Sequence, residues 1–408
     1  MMRAEIIAVG SELVSGASLD TNSQWLSTEL ALLGISTTLH STVADELSAM
    51  TDLLREAMNR SDLVIITGGL GPTLDDLTRE ALAQFAGVPL EMHAESYAAI
   101  GARFERMDRE MSDRNRVQAM VPQGAQPIPN ERGTAPGIWL DVPRANAAPC
   151  SIIALPGVPS EMKPMFLDAV RPRLPAGNHV IRQYCLHVFG LGESAVEERL
   201  GELTARDRSP EVGITASEAT ISLRVTATGA SIKECDAQAD VVKSVIRERL
   251  GDLVFGEEDD QLQDVVVKLL RQRGETLAVV ETSLSGGRVS EWLSAVEGVE
   301  EVFRGGLTAI SLDIGLSDPE TLRAEATEEG RPARMLAEAY RDSFKATWGL
   351  AIVGIPNSQG QIEEGMIAVV GADCVATTMY RSYGDAAIDR SRSAKTALDL
   401  LRRRLLRT

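Results

Sequence analysis

At 408 residues, 44% of them hydrophobic and 25% charged, the chain has a globular composition and the length of two or three domains. Its apolar runs (LVII, VVV, LAIVGI) fall far short of the roughly 18 residues of a membrane span, so no membrane partner is expected. A net charge of −18 disfavours nucleic acid as a partner and leaves small anions held by local amides, arginines or a metal ion. Cys150, Cys185, Cys235 and Cys374 show no CxxC spacing and the N-terminus reads as a buried strand, so a cytoplasmic location is expected. The four histidines are isolated and offer no zinc spacing.

The expected fold class is α/β, because residues 1–90 alternate strand and helix. EIIAVG is a strand, and Thr21–Gln24 reads as a capping box for a helix with Trp25, Leu26, Leu30 and Leu33 on one face. STTLHSTVA and DLVIIT give two more strands, each followed by a helix: ELSAMTDLLREAMNR and then LTREALAQFA, stopped at Gly87. Three β-then-α units imply a mostly parallel, doubly wound sheet. A long helix is expected over about 94–120 and a strand at SIIALPG. After a linker near Leu174–Gly177, a small α+β module follows: IRQYCLHVFG, helix ESAVEERLGEL, strands VGITAS and ATISLRVTAT, and helix SIKECDAQADVVKSVIRERLG. A third segment opens with QLQDVVVKLLRQRG, strand LAVVET, a Gly-Gly turn and helix RVSEWLSAV; strand LAIVGI comes later. The expected domains are 1–172, 178–256 and 260–408.

Ligands of open parallel sheets bind at the carboxyl ends of the strands. Those ends carry Ser11 and Glu12, then Asp45, then TGGLGPTLDD with Gly68, Gly69, Asp75 and Asp76. Two further Gly/Pro loops, GTAPG (133–137) and LPGVPSEM (155–162), have the form that lets amides face a ligand, and Ser160 is a candidate helix cap. Glycine turns suit a diphosphate, while Asp45, Asp75 and Asp76 suit a divalent metal that offsets the repulsion between carboxylate and phosphate. An acid at 75 or 76 also serves as an ordinary helix cap. Asp20 reads as part of a capping turn, and His40 and His93 as ordinary surface or half-buried residues.

The stretches AVGSELVSGASLDTNSQWL, TGGLGPTLDDLTREALA, NRVQAMVP, NERGTAPG and ALPGVPSEMKPMF together resemble the N-terminal domain of the CinA family, over about residues 4–172. That domain is similar to the molybdopterin-binding fold. GLGES (190–194) and LRVTAT (223–228) extend the resemblance to the KH-like middle module. The resemblance implies a cytoplasmic homodimer whose N-terminal domain hydrolyses the pyrophosphate of ADP-ribose, using a divalent metal such as magnesium, and potassium. The matching positions are Ser11, Glu12, Asp45, Gly68, Gly69, Asp75 and Asp76, with Asn130, Thr134 and Pro156–Ser160 as further substrate-binding candidates. Asp76, Asp45 and Glu12 are the catalytic candidates. The order of the middle module invites comparison with RNA-binding KH domains, but Glu193 inside GLGE and the acidic chain argue against RNA; a spacing and dimerising role is expected.

The last third resembles the nicotinamide-nucleotide amidohydrolase domain that ends CinA proteins, with departures. The family motif AESCTGG becomes VETSLSGG (280–287), giving a vestigial set of Glu281, Thr282, Ser283, Gly286 and Gly287. TYSNxxK becomes LTAISLDIG (307–315), and GIAGPxGG becomes GIPNSQGQ (354–361). No lysine lies between Lys268 and Lys345, and Arg288 and Arg304 stay protonated, so a hydroxyl from Thr282, Ser283 or Ser285 has no amine base. Glu281 is the one candidate substitute. Two functional readings stand: a metal-dependent pyrophosphate hydrolase with an impaired deamidase domain, or a regulatory protein that binds nucleotide or pterin without turnover. Persisting deamidation of nicotinamide mononucleotide is a further alternative.

Overall fold

The computed structural model describes residues 2–407 except 146, 176–178, 207, 310–329, 358 and 360. It comprises two compact units, Met1–Arg182 with Thr228–Asp236, and Gln183–Ala227 with Ala237–Thr408.

In the first unit, strand β1 (Arg3–Val9) is followed by a short helix α1 (Ser11–Val14) and by α2 (Thr21–Leu32). Then come β2 (Ser36–Val43), α3 (Leu47–Arg60), β3 (Leu63–Thr67) and α4 (Thr78–Ala86). Strand β4 (Leu90–Met92), helix α5 (Ala94–Arg106) and strands β5 (Met120–Pro122), β6 (Gln126–Ile128), β7 (Gly137–Arg144) and β8 (Ala147–Leu155) lead to α6 (Pro159–Met165). The main sheet runs β2-β1-β3-β8-β7-β6. Its first four strands are parallel and β7 and β6 are antiparallel additions.

Both sheet faces are apolar, as a doubly wound sheet requires. Ile7, Val9, Val64 and Ile66 pack with Met50, Leu54, Ala81 and Leu82 of α3 and α4. The alternate residues Ile6, Leu63 and Ile65 pack with Leu26 and Leu30 of α2 and with Met162 and Met165 of α6. The N-cap of α2 is Asp20, whose carboxylate accepts from the Ser23 amide at 2.9 Å; in place of the expected capping box at Thr21–Gln24, the helix has this single side-chain cap one residue earlier. The expected helix over 94–120 stops at Arg106. Asp108 takes a left-handed φ of 53°, and the amides of Asp108 and Arg109 return to the Glu105 and Phe104 carbonyls, closing the helix. A 3₁₀ turn, Asp113–Ala119, precedes β5.

Next along the chain, β9 (Val180–Phe189) is followed by α7 (Glu193–Leu200), the hairpin β10 (Glu211–Ser217) and β11 (Thr220–Gly229), α8 (Ile232–Leu250) and β12 (Val254–Glu257), in sheet order β10-β11-β9-β12. Glu218 and Ala219 at the hairpin tip have φ of 46° and 64°, a two-residue turn normally given to Asn or Gly. Helix α9 (Leu262–Arg273), β13 (Leu277–Glu281), α10 (Arg288–Ser294), β14 (Phe303–Thr308), α11 (Arg331–Ser343), β15 (Trp348–Pro356), β16 (Ile362–Val370), β17 (Val375–Arg381) and α12 (Ala386–Leu405) complete the chain. The second sheet runs β14-β13-β15-β16-β17. The buried Lys395 of α12 explains the unusual hairpin tip: its ammonium donates to the Glu218 carbonyl at 2.7 Å and the Thr220 hydroxyl at 3.1 Å.

Candidate functional site

In the main sheet of the first unit, β1 sends the chain to β2 on one side, while β3 lies on its other side and leads on to β8. The gap between the carboxyl ends of β1 and β3 is therefore the topological switch point, where such sheets open a crevice. Gly68 ends β3 there with φ of 103°. A side chain on it would fall on the Val9 carbonyl of β1, so only glycine lets the two strand ends approach. Gly69 (φ 65°) follows, crowded by the Thr78 hydroxyl.

Three loops meet this edge. Asp45, after β2, accepts from the Ser11 amide and the Ser11 hydroxyl, both at 2.9 Å and both on Oδ2. Glu12, the next residue after Ser11, is exposed. From the far side, the Gly68 amide donates to the Leu155 carbonyl at 3.0 Å. Asn22, at the start of α2, donates to the Gly157 carbonyl at 2.7 Å.

Asp76 has a different environment from the one its position in the sequence implies. Its Oδ1 accepts from the Gly71 amide at 2.8 Å, and its Oδ2 from the Thr73 amide at 2.9 Å and from the Thr73 hydroxyl. Both carboxylate oxygens thus tie the turn 71–76 to itself. Asp75 is exposed. Among the described residues, no three His, Cys, Asp or Glu side chains stand close enough together to hold a metal ion. The acids nonetheless fit an ion of the magnesium kind, which keeps most of its waters and takes one or two carboxylates plus ligand phosphates. Asp45, whose Oδ1 is unengaged among the described residues, and Glu12 are the acids available for it.

The remaining candidates fall elsewhere. Asn130 accepts from the Arg132 and Gly133 amides at 3.0 and 2.7 Å, and donates to the Ala135 carbonyl and to Glu161 of α6 at 2.9 and 2.8 Å. Thr134 accepts from Gln118 at 3.1 Å. Both residues line a cavity of about 360 Å³ together with His93, Ser96, Arg103 and Arg106. His93 itself caps α5, accepting from the Ser96 amide. Ser160 is exposed and does not cap α6: the N-cap is Val158, with no side-chain cap, because Pro159 already occupies the first helical position.

Arg79 is a residue the sequence reading missed. It is 1% exposed, and its guanidinium donates to the Leu70 carbonyl at 2.7 Å and the Gly71 carbonyl at 2.6 Å. Desolvation lowers its pKa. A charged residue inside the helix that follows a glycine turn was the available signal, and helical periodicity alone does not tell a buried arginine from a surface one.

The turn after β13 in the second unit is built otherwise. Glu281 is fully buried, accepting from the Val289 amide at 3.0 Å and from the Ser290 amide and hydroxyl at 2.9 and 2.8 Å. It holds the start of α10, so it is not placed as a substitute base. The Thr282 hydroxyl accepts from the Gly354 amide at 2.8 Å, and Ser283 is half-buried. The Ser285 hydroxyl is buried and has no partner among the described residues. Gly286 and Gly287 have φ of 60° and 90°, the left-handed turn expected there. Most of LTAISLDIG and part of GIPNSQGQ lie outside the described residues.

Residues 5–176 match the family model described as "Probable molybdopterin binding domain", 183–256 the damage-inducible protein CinA KH domain, and 259–405 the CinA C-terminal domain. The chain is 38% identical to a CinA-like protein of Dictyoglomus turgidum, over 99% of this chain and 100% of that one. The chain belongs to the CinA family. A CinA-like protein of Frankia casuarinae is 37% identical over 99% of this chain and 96% of its own. The crystal structure of a CinA protein of unknown function from Thermoplasma acidophilum is 31% identical, covers 41% of this chain and 94% of that chain, and superposes with a TM-score of 0.37. This CinA chain thus joins a molybdopterin-binding-like domain to a KH module and a CinA C-terminal domain. Among the described residues no helix is long and apolar enough to cross a membrane.

Proposed function

We propose that the first unit hydrolyses the pyrophosphate bond of ADP-ribose or a related nucleotide in the crevice between β1 and β3. The observation that carries this reading is the link between Ser11 and Asp45 beside the Gly68–Gly69 turn: it brings a carboxylate and a glycine turn to one switch point. Ser11 holds Asp45 by Oδ2, which fixes the carboxylate and leaves Oδ1 to orient or deprotonate a water. Amides of the glycine turn meet the diphosphate oxygens. A divalent metal held by Asp45 and Glu12, with potassium, would supply charge neutralisation for the diphosphate. Asp76 shapes the turn rather than meeting substrate. The test is incubation of the full chain with ADP-ribose, magnesium and potassium, followed by separation of nucleotides. AMP with ribose 5-phosphate in equal amounts supports the reading, and intact ADP-ribose rejects it.

For the second unit a binding role without turnover is favoured by one observation. Glu281 is spent on the start of α10, which leaves the hydroxyls of Thr282, Ser283 and Ser285 without a base among the described residues. Nicotinamide mononucleotide is accordingly retained unchanged, with no ammonia released.

A further inference from the structure

In the second unit, helix α12 grips three backbone carbonyls that precede it in the chain. Lys395 donates to the Glu218 carbonyl at 2.7 Å and to the Thr220 hydroxyl at 3.1 Å. Arg402 donates to the Asp252 carbonyl, and Arg403 to the Phe189 carbonyl at 3.5 Å. The two ends of this grip differ in cost. Asp399 pairs with both Arg402 and Arg403 at 2.7 Å, so the charges at that end are compensated. Lys395 is 9% exposed, and its near acceptors are neutral. The one opposite charge beside it among the described residues is the Glu218 carboxylate, exposed and 3.8 Å away. Desolvation lowers the pKa of Lys395.

The acceptor at the Lys395 end is itself strained. Glu218 and Ala219 both hold a left-handed φ, 46° and 64°, which their Cβ atoms disfavour. Such a turn persists where its surroundings hold it, and strain of this kind marks switch segments. Ala219 packs against the core cluster that contains Ala394, Ala397 and Leu398 of α12. The tip is thus docked by this packing and by one ammonium.

The same helix underlies the Thr282–Gly287 turn. Leu284 belongs to the same core cluster, and its carbonyl accepts from the Ser393 hydroxyl at 3.5 Å. The Arg390 side chain lies 3.3 Å from where a side chain on Gly286 would begin. Asp389 fixes the start of α12, accepting from the Tyr380 and Ser382 hydroxyls and the Tyr383 amide. The helix is anchored at both ends, and residues 390–395 between them join the turn to the hairpin tip.

We propose that the Glu218–Ala219 hairpin tip is a releasable latch held by Lys395, and that latching is coupled through α12 to occupancy of the Thr282–Gly287 turn. The coupling rests on the reading of that turn as a nucleotide-binding site; the latch does not. In the latched state the ammonium holds the Glu218 carbonyl and the tip stays left-handed. In the released state the tip relaxes and the ammonium reaches water, while the Asp399 end keeps its grip. A ligand on the turn restrains Leu284 and Gly286 against Ser393 and Arg390. That steadies the stretch carrying Lys395 and favours the latched state. Linkage is reciprocal: a chain that cannot latch binds the ligand more weakly, by the factor by which the ligand suppresses release.

The test is hydrogen–deuterium exchange of residues 214–223 in the full chain, with and without nicotinamide mononucleotide. Without ligand, Lys395→Met speeds exchange there by about tenfold or more, the change expected when two bonds from a buried charge are lost. Glu218→Asn with Ala219→Gly, a pair that tolerates left-handed φ, restores much of the protection in the Lys395→Met chain. Should Lys395→Met fail to fold, Thr220→Val replaces it. That variant removes one of the two acceptors and gives a smaller change in the same direction. Unchanged exchange at 214–223 in the variant used overturns the latch. So does faster exchange spread over the whole second unit that the Asn-Gly tip does not rescue, the mark of a merely structural lysine. With ligand, tip exchange slows in the wild-type chain and not in Lys395→Met, and calorimetry gives a loss of affinity in the variant by the same factor. Equal affinity in both chains, with no change at the tip, overturns the coupling. Tip exchange that depends on Lys395, in a chain that does not bind nicotinamide mononucleotide, upholds the latch and rejects both the coupling and the nucleotide reading of the turn.

Discussion

Two glycine turns of this chain start from the same plan and end differently. Each follows a fully buried strand of a parallel sheet region, β3 in one unit and β13 in the other, and each uses consecutive left-handed glycines. After β3, the carbonyls are drawn inward by Thr78 and Arg79, and the nearby acid Asp76 staples the outer end of the turn. After β13, the acid Glu281 is buried beneath the turn and holds the start of α10, while the Thr282 hydroxyl is engaged by the Gly354 amide. The first arrangement leaves the amides of Gly69 and Leu70 without a partner among the described residues, beside a carboxylate anchored by Ser11. The second spends its acid on structure. A glycine turn at a strand end is therefore a permissive geometry, and the side chains behind it decide whether chemistry follows.

The largest effect separating the two turns is expected from adding a single methyl group. Gly68→Ala places it on the Val9 carbonyl at φ 103° and should cost about 3 kcal/mol or more in urea unfolding. Gly286→Ala meets only the flexible Arg390 side chain, at 3.3 Å, and should cost about 1–2 kcal/mol. Equal costs would remove the claim that the strand ends at the first turn are packed to glycine contact.

Asp45→Asn should reduce ADP-ribose hydrolysis by about 100-fold or more with little change in melting temperature, because the amide oxygen still accepts from Ser11. Asp76→Asn should behave in the opposite way. Its amide nitrogen must face either the Gly71 amide or the Thr73 pair, all of them donors. That mismatch costs about 1–3 kcal/mol of stability. An unchanged or raised melting temperature for Asp76→Asn would restore the sequence reading of Asp76 as a catalytic and metal-binding acid.

That reversal shows what the sequence carried and what it did not. Alternating apolar runs and glycine stops made the strands and helices of residues 3–87 legible, because both signals are local. The helix after His93 was read too long because Asp108 takes a left-handed stop usually given to glycine. Strands β6 and β7 went unread: QPI is three residues with a proline at its centre, and GIWLDVPR ends in Pro143-Arg144, so neither offers a clean period. At the site, spacing placed Asp45 and Asp76 at the same sheet edge but could not show that Asp76 spends both oxygens on its own turn. Arg79 was invisible for the same reason: burial depends on the fold around α4, and arginine is ordinarily a surface residue.

The smallest effect is expected at the second turn. Ser283→Ala should leave ammonia release from nicotinamide mononucleotide at background, as in the wild-type chain, since no base among the described residues activates the hydroxyl. Release at ordinary enzymatic rates in the wild-type chain, lost in Ser283→Ala, would make the two turns functional equals.

The contrast is tested most directly by one assay run on three proteins. The wild-type chain, Asp45→Asn and Ser283→Ala are each given ADP-ribose with magnesium and potassium, and AMP is quantified over time. The account predicts AMP with ribose 5-phosphate from the wild-type chain and from Ser283→Ala at the same rate, and nearly none from Asp45→Asn. AMP formed equally by all three, or by none, would contradict it.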